Sequence, residues 1–422
     1  MKRVVVTGMG IWSSIGQNLQ NVTESLEQGL SGIIYDPKRI EYGIQSGLVG
    51  NVPRPDLKQL LSRDNRVIMS EDTEYAYMAA KQAIEQAAIM SDKYRKTNDI
   101  GIVWANDGNS RLKKIFQIMR LTKDSQELGI YQPIYTSWTK VCLSKIFNLR
   151  GTNFCVASAC ASGSHAIGLA CFLIRTGIEN MILTGGSMEM DSFFVESFDA
   201  LQATSLRNNF PTQASRPFDV NRDGMVPSGG AAALVLEEYE HAVARGATIL
   251  AEVCGYGFSS NGTEEISMPS AEAEYIAMKR ALDDAGLQPS DIDYVNAHAT
   301  STIAGDIEEA KALTRLFEEQ GVSSPLPFRE GAGLGSNRPF ISSTKSMTGH
   351  ENWMAGASEA VYSILMMQNN FVAPNINLEH KIDEAKDLNI VTETVYTPIR
   401  TVLSNSSGMG GTNSALVFRK VD

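Results

Sequence analysis

The sequence is short of the groups that staple small folds together. Its 422 residues hold five cysteines, Cys142, Cys155, Cys160, Cys171 and Cys254. The number is odd and no Cys-x-x-Cys pair occurs, so neither a disulfide framework nor a zinc site is indicated. Basic charge is scarce too: 37 Lys and Arg stand against 48 Asp and Glu, a net charge of −11. A nucleic-acid binder needs a basic face for phosphates, which argues against that class. A local basic patch toward an acidic partner remains open, because it can steer association against the global sign. No apolar run approaches the roughly 18 residues of a membrane span. The start, Met1-Lys2-Arg3-Val4-Val5-Val6-Thr7-Gly8, is too short in apolar residues for a secretory leader and reads as a buried strand. Reduced thiols fit a reducing compartment, so a cytoplasmic protein is expected.

Apolar residues make up 43% of the chain and charged residues 20%, ordinary values for a globular protein with a large core. The length suits two or three domains or one large α/β body. Strands are expected at Val4–Val6, Ile100–Trp104, Thr152–Ala157, Asn180–Leu183, Ala231–Leu236, Ile292–Asn296, Phe340–Ser343, Thr401–Ser404 and Ala415–Phe418. Helical spacing runs through Ser70–Ala88, Cys160–Arg175, Ala271–Ala285, Ile303–Phe317 and Trp353–Gln368. A glycine turn is expected at Gly8-Met9-Gly10. The alternation predicts α/β layers with largely parallel pairing. The chain divides near residue 250, giving halves 1–250 and 251–422. Ser323–Phe340, rich in Gly, Pro and Ser, reads as a surface loop.

Four segments carry chemistry. In Asn153-Phe154-Cys155-Val156-Ala157-Ser158-Ala159-Cys160-Ala161-Ser162-Gly163-Ser164-His165 a strand runs into a sharp turn, with Cys160 near the start of a helix. The positive end of the helix dipole favours thiolate there. The other four cysteines read as small buried hydrophobes. In Tyr294–Thr302 a strand ends at His298, which can donate a ring N–H to a developing oxyanion or exchange a proton. Thr300 and Thr302 beside it can bond a polar ligand arm. Ile341–His350 brings Lys345 and His350 to another strand end. Ser404–Asn413, with Gly408, Met409, Gly410 and Gly411, is either a tight hairpin or a loop whose backbone N–H groups form half of an oxyanion hole. Each segment is weak alone. No Ser-His-Asp order, P-loop or dinucleotide fingerprint competes with them.

At these four motifs the sequence closely resembles the β-ketoacyl-ACP synthases of fatty-acid and polyketide synthesis, within the thiolase-like superfamily. The likeness runs from VVVTGMGIWSSIG through SACASGSHA, SRPFDVNRDGMVPSGGAAALVLEE, NAHATSTIAGD and STKSMTGH to SNSSGMGGTNSALVF. It implies a thiolase fold, two similar halves packed as a five-layer α-β-α-β-α sandwich. The first half would carry the nucleophile and the second the two histidines and the lysine. It also implies no metal and no bound cofactor, since substrates arrive on the phosphopantetheine of acyl carrier protein. Cys160 would take the acyl chain, and His298 and His350 would promote decarboxylation of the malonyl thioester. Backbone N–H groups of Cys160 and Met409 would hold the oxyanion. Lys345 would support the site, paired with Glu309, and Thr300 and Thr302 would hold the pantetheine. The partners implied are acyl carrier protein and a second copy, or a related ketosynthase-like subunit resembling a chain-length factor.

The family usually shows phenylalanine where this chain has Ser407 and Met409, and a small Leu-Gly-Ala run where it has Glu351-Asn352-Trp353-Met354. These changes surround the pocket and remove no catalytic group. They suggest an unusual acyl chain, such as a conjugated polyene or aryl-polyene precursor. Basic residues expected to meet an acidic carrier are Arg63, Arg66, Arg111, Lys113 and Lys114. A degradative thiolase would need a second cysteine near the C-terminus, and none follows Cys254.

Overall fold

The computed structural model describes residues 1–89, 100–106, 138–190, 197–262, 268–318 and 338–421. The expected loop falls outside them as far as residue 337. The strands that build the fold come in two sets of five. The first is β1 (Val4–Trp12), β2 (Ile100–Ala105), β3 (Asn153–Val156), β4 (Met181–Met188) and β5 (Gly230–Glu238). The second is β6 (Ala251–Ser260), β7 (Tyr294–Asn296), β8 (Phe340–Ser342), β9 (Thr401–Gly408) and β10 (Thr412–Arg419).

Both sets have one topology. The spatial order is β3-β2-β4-β5-β1 in the first and β8-β7-β9-β10-β6 in the second. In the first, β2 runs parallel to β3 and β4, while β5 is antiparallel to β4 and β1. In the second, β7 runs parallel to β8 and β9, while β10 is antiparallel to β9 and β6. Pairing is therefore parallel only toward the outer strands. Toward the junction it reverses, because β9 and β10 form a hairpin and β5 returns beside β4. The sets meet through Val5–Glu252 and Val6–Ala251.

Helices fill the layers. On one outer face lie α1 (Glu71–Gln86) and α2 (Trp138–Phe147), and on the other α4 (Ala271–Ala285) and α5 (Ile303–Glu318). Between the halves α3 (Ser162–Arg175) packs on α7 (Ala355–Asn369), and each touches strands of both. The order is α-β-α-β-α, the expected fold. The short α6 (Lys345–Thr348) precedes α7. Nearly every residue of α7 is buried, from Ala355 to Met367, as a helix enclosed on all sides requires.

The glycine turn expected at Gly8-Met9-Gly10 is strand instead, with a bulge between Val6 and Gly8. A Cβ at Gly8 would stand 2.1 Å from the Ala83 carbonyl oxygen, and one at Gly10 2.0 Å from that of Ala79. Glycine is required there so that α1 can rest its backbone on β1.

Candidate active site

The third strand of each half feeds a central helix. β3 leads through Cys160 into α3, and β8 leads through Lys345 and His350 into α7. Because α3 and α7 pack on each other, the two loops meet at one place.

The turn that carries Cys160 is tightly held. Ala159 has φ +46, a left-handed conformation that costs a non-glycine residue about 1–2 kcal/mol. Ser162 supports it: its hydroxyl accepts from the Ser158 N–H at 2.7 Å and donates to the Ala159 carbonyl at 2.6 Å. The Ala161 N–H adds a bond to Ser158 O at 3.1 Å. Cys160 thus stands two residues before α3, half-buried, on a strand–turn–helix junction like the nucleophile elbow of serine hydrolases.

His350 Nε2 lies 3.0 Å from Cys160 Sγ. Its backbone is pinned to the 226–228 segment, with His350 N–H to Val226 O at 2.7 Å and Ser228 N–H to His350 O at 2.8 Å. His298 stands edge-on to it, ring centroids 5.3 Å apart and planes at 89°. The Nδ1 of each ring is buried with no hydrogen-bond partner among the described residues. Burial first, then the charge of Lys345, holds both imidazoles well below their usual range, and His350 lowers His298 further. Both rings are neutral near pH 7, each with one N–H donor and one acceptor nitrogen.

Glu309 does not pair with Lys345 as expected. Lys345 Nζ bonds Glu359 of α7, and both are buried. Glu309 of α5 instead accepts from the N–H groups of His298 at 2.7 Å and Ala299 at 2.6 Å, and from Asn405 Nδ2 at 2.9 Å. The expected pairing fails because α7 brings a carboxylate nearer, while the α5 carboxylate is already taken by backbone. Three residues earlier on α5, Asp306 accepts from Ser301 N–H at 3.1 Å and Phe218 N–H at 2.8 Å. Two carboxyls spaced i,i+3 thus grip the loop that carries His298.

The Ser404–Asn413 segment is the β9–β10 hairpin, and its tip reaches the nucleophile turn. A Cβ on Gly408 would lie 2.8 Å from the Ser158 carbonyl oxygen and 2.7 Å from Thr412 Cγ2. Gly410 and Gly411 turn the tip at φ +91 and +79. Met409, at that tip, is 44% exposed. Thr300 and Thr302 bond each other at 3.0 Å beside His298. Arg63 is exposed and Arg66, half-buried, bonds Leu61 O at 3.2 Å, on a short helix remote in sequence from the site. Arg111, Lys113 and Lys114 lie outside the described residues. After His350, Glu351 is buried against Ser358 and Tyr362, and Trp353 Nε1 donates to Ser187 O at 2.6 Å. These bulky replacements are built into the core. Sequence reasoning missed Glu359, a lone acid in an apolar helix, and Asn405. Among the described residues no group of three His, Cys, Asp or Glu side chains is placed to hold a metal.

A thiol, two neutral imidazoles and a glycine hairpin, on a doubled α/β fold, define a condensing enzyme of the thiolase type. The chain belongs to the β-ketoacyl synthase family: the N-terminal domain of that family matches residues 1–242 and its C-terminal domain 250–379. It is 39% identical over 426 residues to the 3-oxoacyl-[acyl-carrier-protein] synthase 1 of Escherichia coli (strain K12), covering all of both chains. Among solved structures it resembles a β-ketoacyl synthase from Burkholderia phymatum STM815, with a TM-score of 0.90 and 34% identity over all of both chains. It also resembles a chain in the structure of a type II polyketide synthase acyl-carrier protein in complex with its ketosynthase bound to the hexaketide, with a TM-score of 0.82 and 28% identity over all of both chains.

Proposed function

We propose that this acyltransferase joins an acyl group held on Cys160 to a two-carbon unit from malonyl-ACP. The observation that carries the reading is the 3.0 Å approach of His350 Nε2 to Cys160 Sγ, with His298 beside it. The Cys160 thiolate attacks the incoming acyl thioester, forming acyl-Cys160, and the carrier thiol leaves with the proton that Cys160 gave up. The malonyl thioester then binds with its carbonyl toward His298 and His350. Loss of CO2 leaves an enolate, whose oxygen the two ring N–H donors stabilise. The enolate carbon attacks acyl-Cys160, the C–S bond breaks, and the β-ketoacyl chain leaves on its carrier. Backbone N–H groups of Cys160 and Met409 hold the tetrahedral oxyanion. Lys345, hydrogen-bonded to Glu359, supports the site, and Glu309 orients His298 through its backbone. Loss of one fixed donor to a developing oxyanion typically lowers the rate by about 10²–10³.

Both acyl groups ride on the phosphopantetheine of acyl carrier protein, held at Thr300 and Thr302, with no further cofactor. Arg63 and Arg66 receive the carrier. The enzyme works in the cytoplasm as a homodimer. Phe154, 47% exposed on the outermost strand β3, suits an edge-to-edge joint between copies. A heterodimer with a chain-length-factor-like subunit is the second arrangement, favoured by the replaced tip residues Ser407 and Met409. Those replacements also favour an unusual acyl chain, with conjugated polyene or aryl-polyene donors preferred over saturated ones.

The test supplies malonyl-ACP with a panel of saturated and polyene acyl-ACPs and follows ACP products by mass. Products two carbons longer, bearing a β-ketone, are expected. No such product with any donor, alone or with a partner subunit, overturns the condensing role. Much faster turnover of saturated donors overturns the polyene preference alone.

A further inference from the structure

The condensation proposed above uses two of the chain's histidines, yet a third lies on α3 beside the same turn. His165 is half-buried, and both ring nitrogens are engaged. Nδ1 is 2.7 Å from Tyr256 Oη and Nε2 is 3.0 Å from Thr412 Oγ1. Either hydroxyl can donate or accept, so a neutral ring is satisfied in either tautomer. Burial lowers His165 to about 4, which keeps it neutral at physiological pH. Tyr256 is fixed in turn. A Cβ on Gly168 would stand 2.3 Å from its ring, so that ring rests on the α3 backbone.

Thr412 is the first residue of β10 and pairs with Gly408 across the hairpin. Its methyl and the Ser158 carbonyl oxygen close off the space a side chain on Gly408 would take, a Cβ there falling 2.7 Å from Thr412 Cγ2 and 2.8 Å from Ser158 O. The neighbouring α3 residue ties the other strand, with Ser164 Oγ 2.7 Å from Ser406 Oγ of β9. Two consecutive residues of the nucleophile helix therefore clamp both strands of the hairpin on either side of its tip. The tip itself, Ser407 to Gly411, carries the glycines that let it bend.

We propose that His165 is a positioning residue for the condensation, fixing through Thr412 where the hairpin tip meets the Cys160 turn. This rests on the function proposed above, but its test separates the two. His165→Ala, Thr412→Val, the double variant and His165→Gln are compared with wild type. Two readouts are taken: condensation kinetics, and amide hydrogen exchange of residues 405–413. His165→Ala and Thr412→Val are each expected to lower kcat by about tenfold while KM for malonyl-ACP stays within about twofold, since a small misplacement of a reacting group acts on kcat. The double variant is expected to be no slower than the slower single one, because both remove one link. Exchange should accelerate about tenfold in both single variants, the signature of local opening. His165→Gln, which keeps a polar group toward Thr412, should recover part of kcat. Thr412→Val with wild-type exchange or wild-type kcat overturns the proposal, and it decides alone where His165→Ala does not fold. If the wild type makes no product, the condensing role falls, and the exchange comparison still decides whether His165 positions the tip.

Discussion

At the scale of residues, the site depends on buried polar groups whose partners are already committed. Lys345 and Glu359 are one such pair. Removing one member of a buried ion pair leaves the other charge uncompensated, so Glu359→Ala is expected to lower unfolding free energy by about 3–5 kcal/mol, read by denaturant titration. Glu309→Gln should behave differently. It keeps one acceptor oxygen but turns an amide NH2 toward the other oxygen's N–H donor, so the same titration should show a smaller loss of about 1–3 kcal/mol while turnover drops. The histidines give a pH signature. Unfolded imidazole titrates near about 6.5, whereas folded His298 and His350 sit well below that. Protons then favour the unfolded chain, so this contribution is complete above pH ~6.5 and is lost as the pH falls below it. Asp306 and Glu351, raised by burial to about 7, act in the opposite sense: their contribution is complete at acid pH and is lost as the pH rises toward 7. The difference between proteins isolates the imidazole: between pH 7 and 5, wild type should lose more stability than His350→Asn. Equal losses would contradict the neutral buried ring.

At the scale of elements, the sequence was legible where a polar reactive residue ends an apolar run. Cys160, His298 and Lys345 stand out because each follows within four residues of a short strand carrying Phe, Tyr, Val or Ile. Less legible were contacts made across helices. Glu359 hides as the lone acid of a mostly apolar helix, and nothing local says that it faces Lys345 rather than a neighbour. His165 hides in a helix start rich in Ser, Ala and Gly, and its partners come from strands 91 and 247 residues away. The glycines of β1 were read as a turn because local pattern cannot show that a helix backbone will lie on that strand. Gly408 makes the same point at the site. Gly408→Ala would drive its Cβ into the Ser158 carbonyl and Thr412 methyl, so the tip must withdraw from Cys160. Turnover is expected to fall by about 10², with a melting temperature near that of wild type. Unchanged turnover would show that the tip has no role in the reaction.

At the scale of the whole molecule, the doubled topology explains why the site lies where it does. Cys160 and His350 follow equivalent strands, β3 and β8, and the central helices bring those strand ends together. Neither half holds a complete site. The outer strand β3 belongs to the same argument, since it carries Phe154 into solvent a few residues before the nucleophile. If the proposed homodimer joins at this edge, Phe154→Asp is expected to shift the protein to monomer in sedimentation velocity and to lower activity by displacing β3. A dimer that persists would place the joint elsewhere.

The most direct test of the central claim is intact-mass spectrometry of the protein after exposure to acyl-ACP alone, with wild type, Cys160→Ala, His298→Ala and His350→Ala side by side. The account predicts one added acyl mass on wild type and none on Cys160→Ala. The His298→Ala protein should become acylated yet yield little β-ketoacyl product when malonyl-ACP follows. Acylation that persists without Cys160, or acylated wild type that never extends its chain across the donor panel, would contradict it.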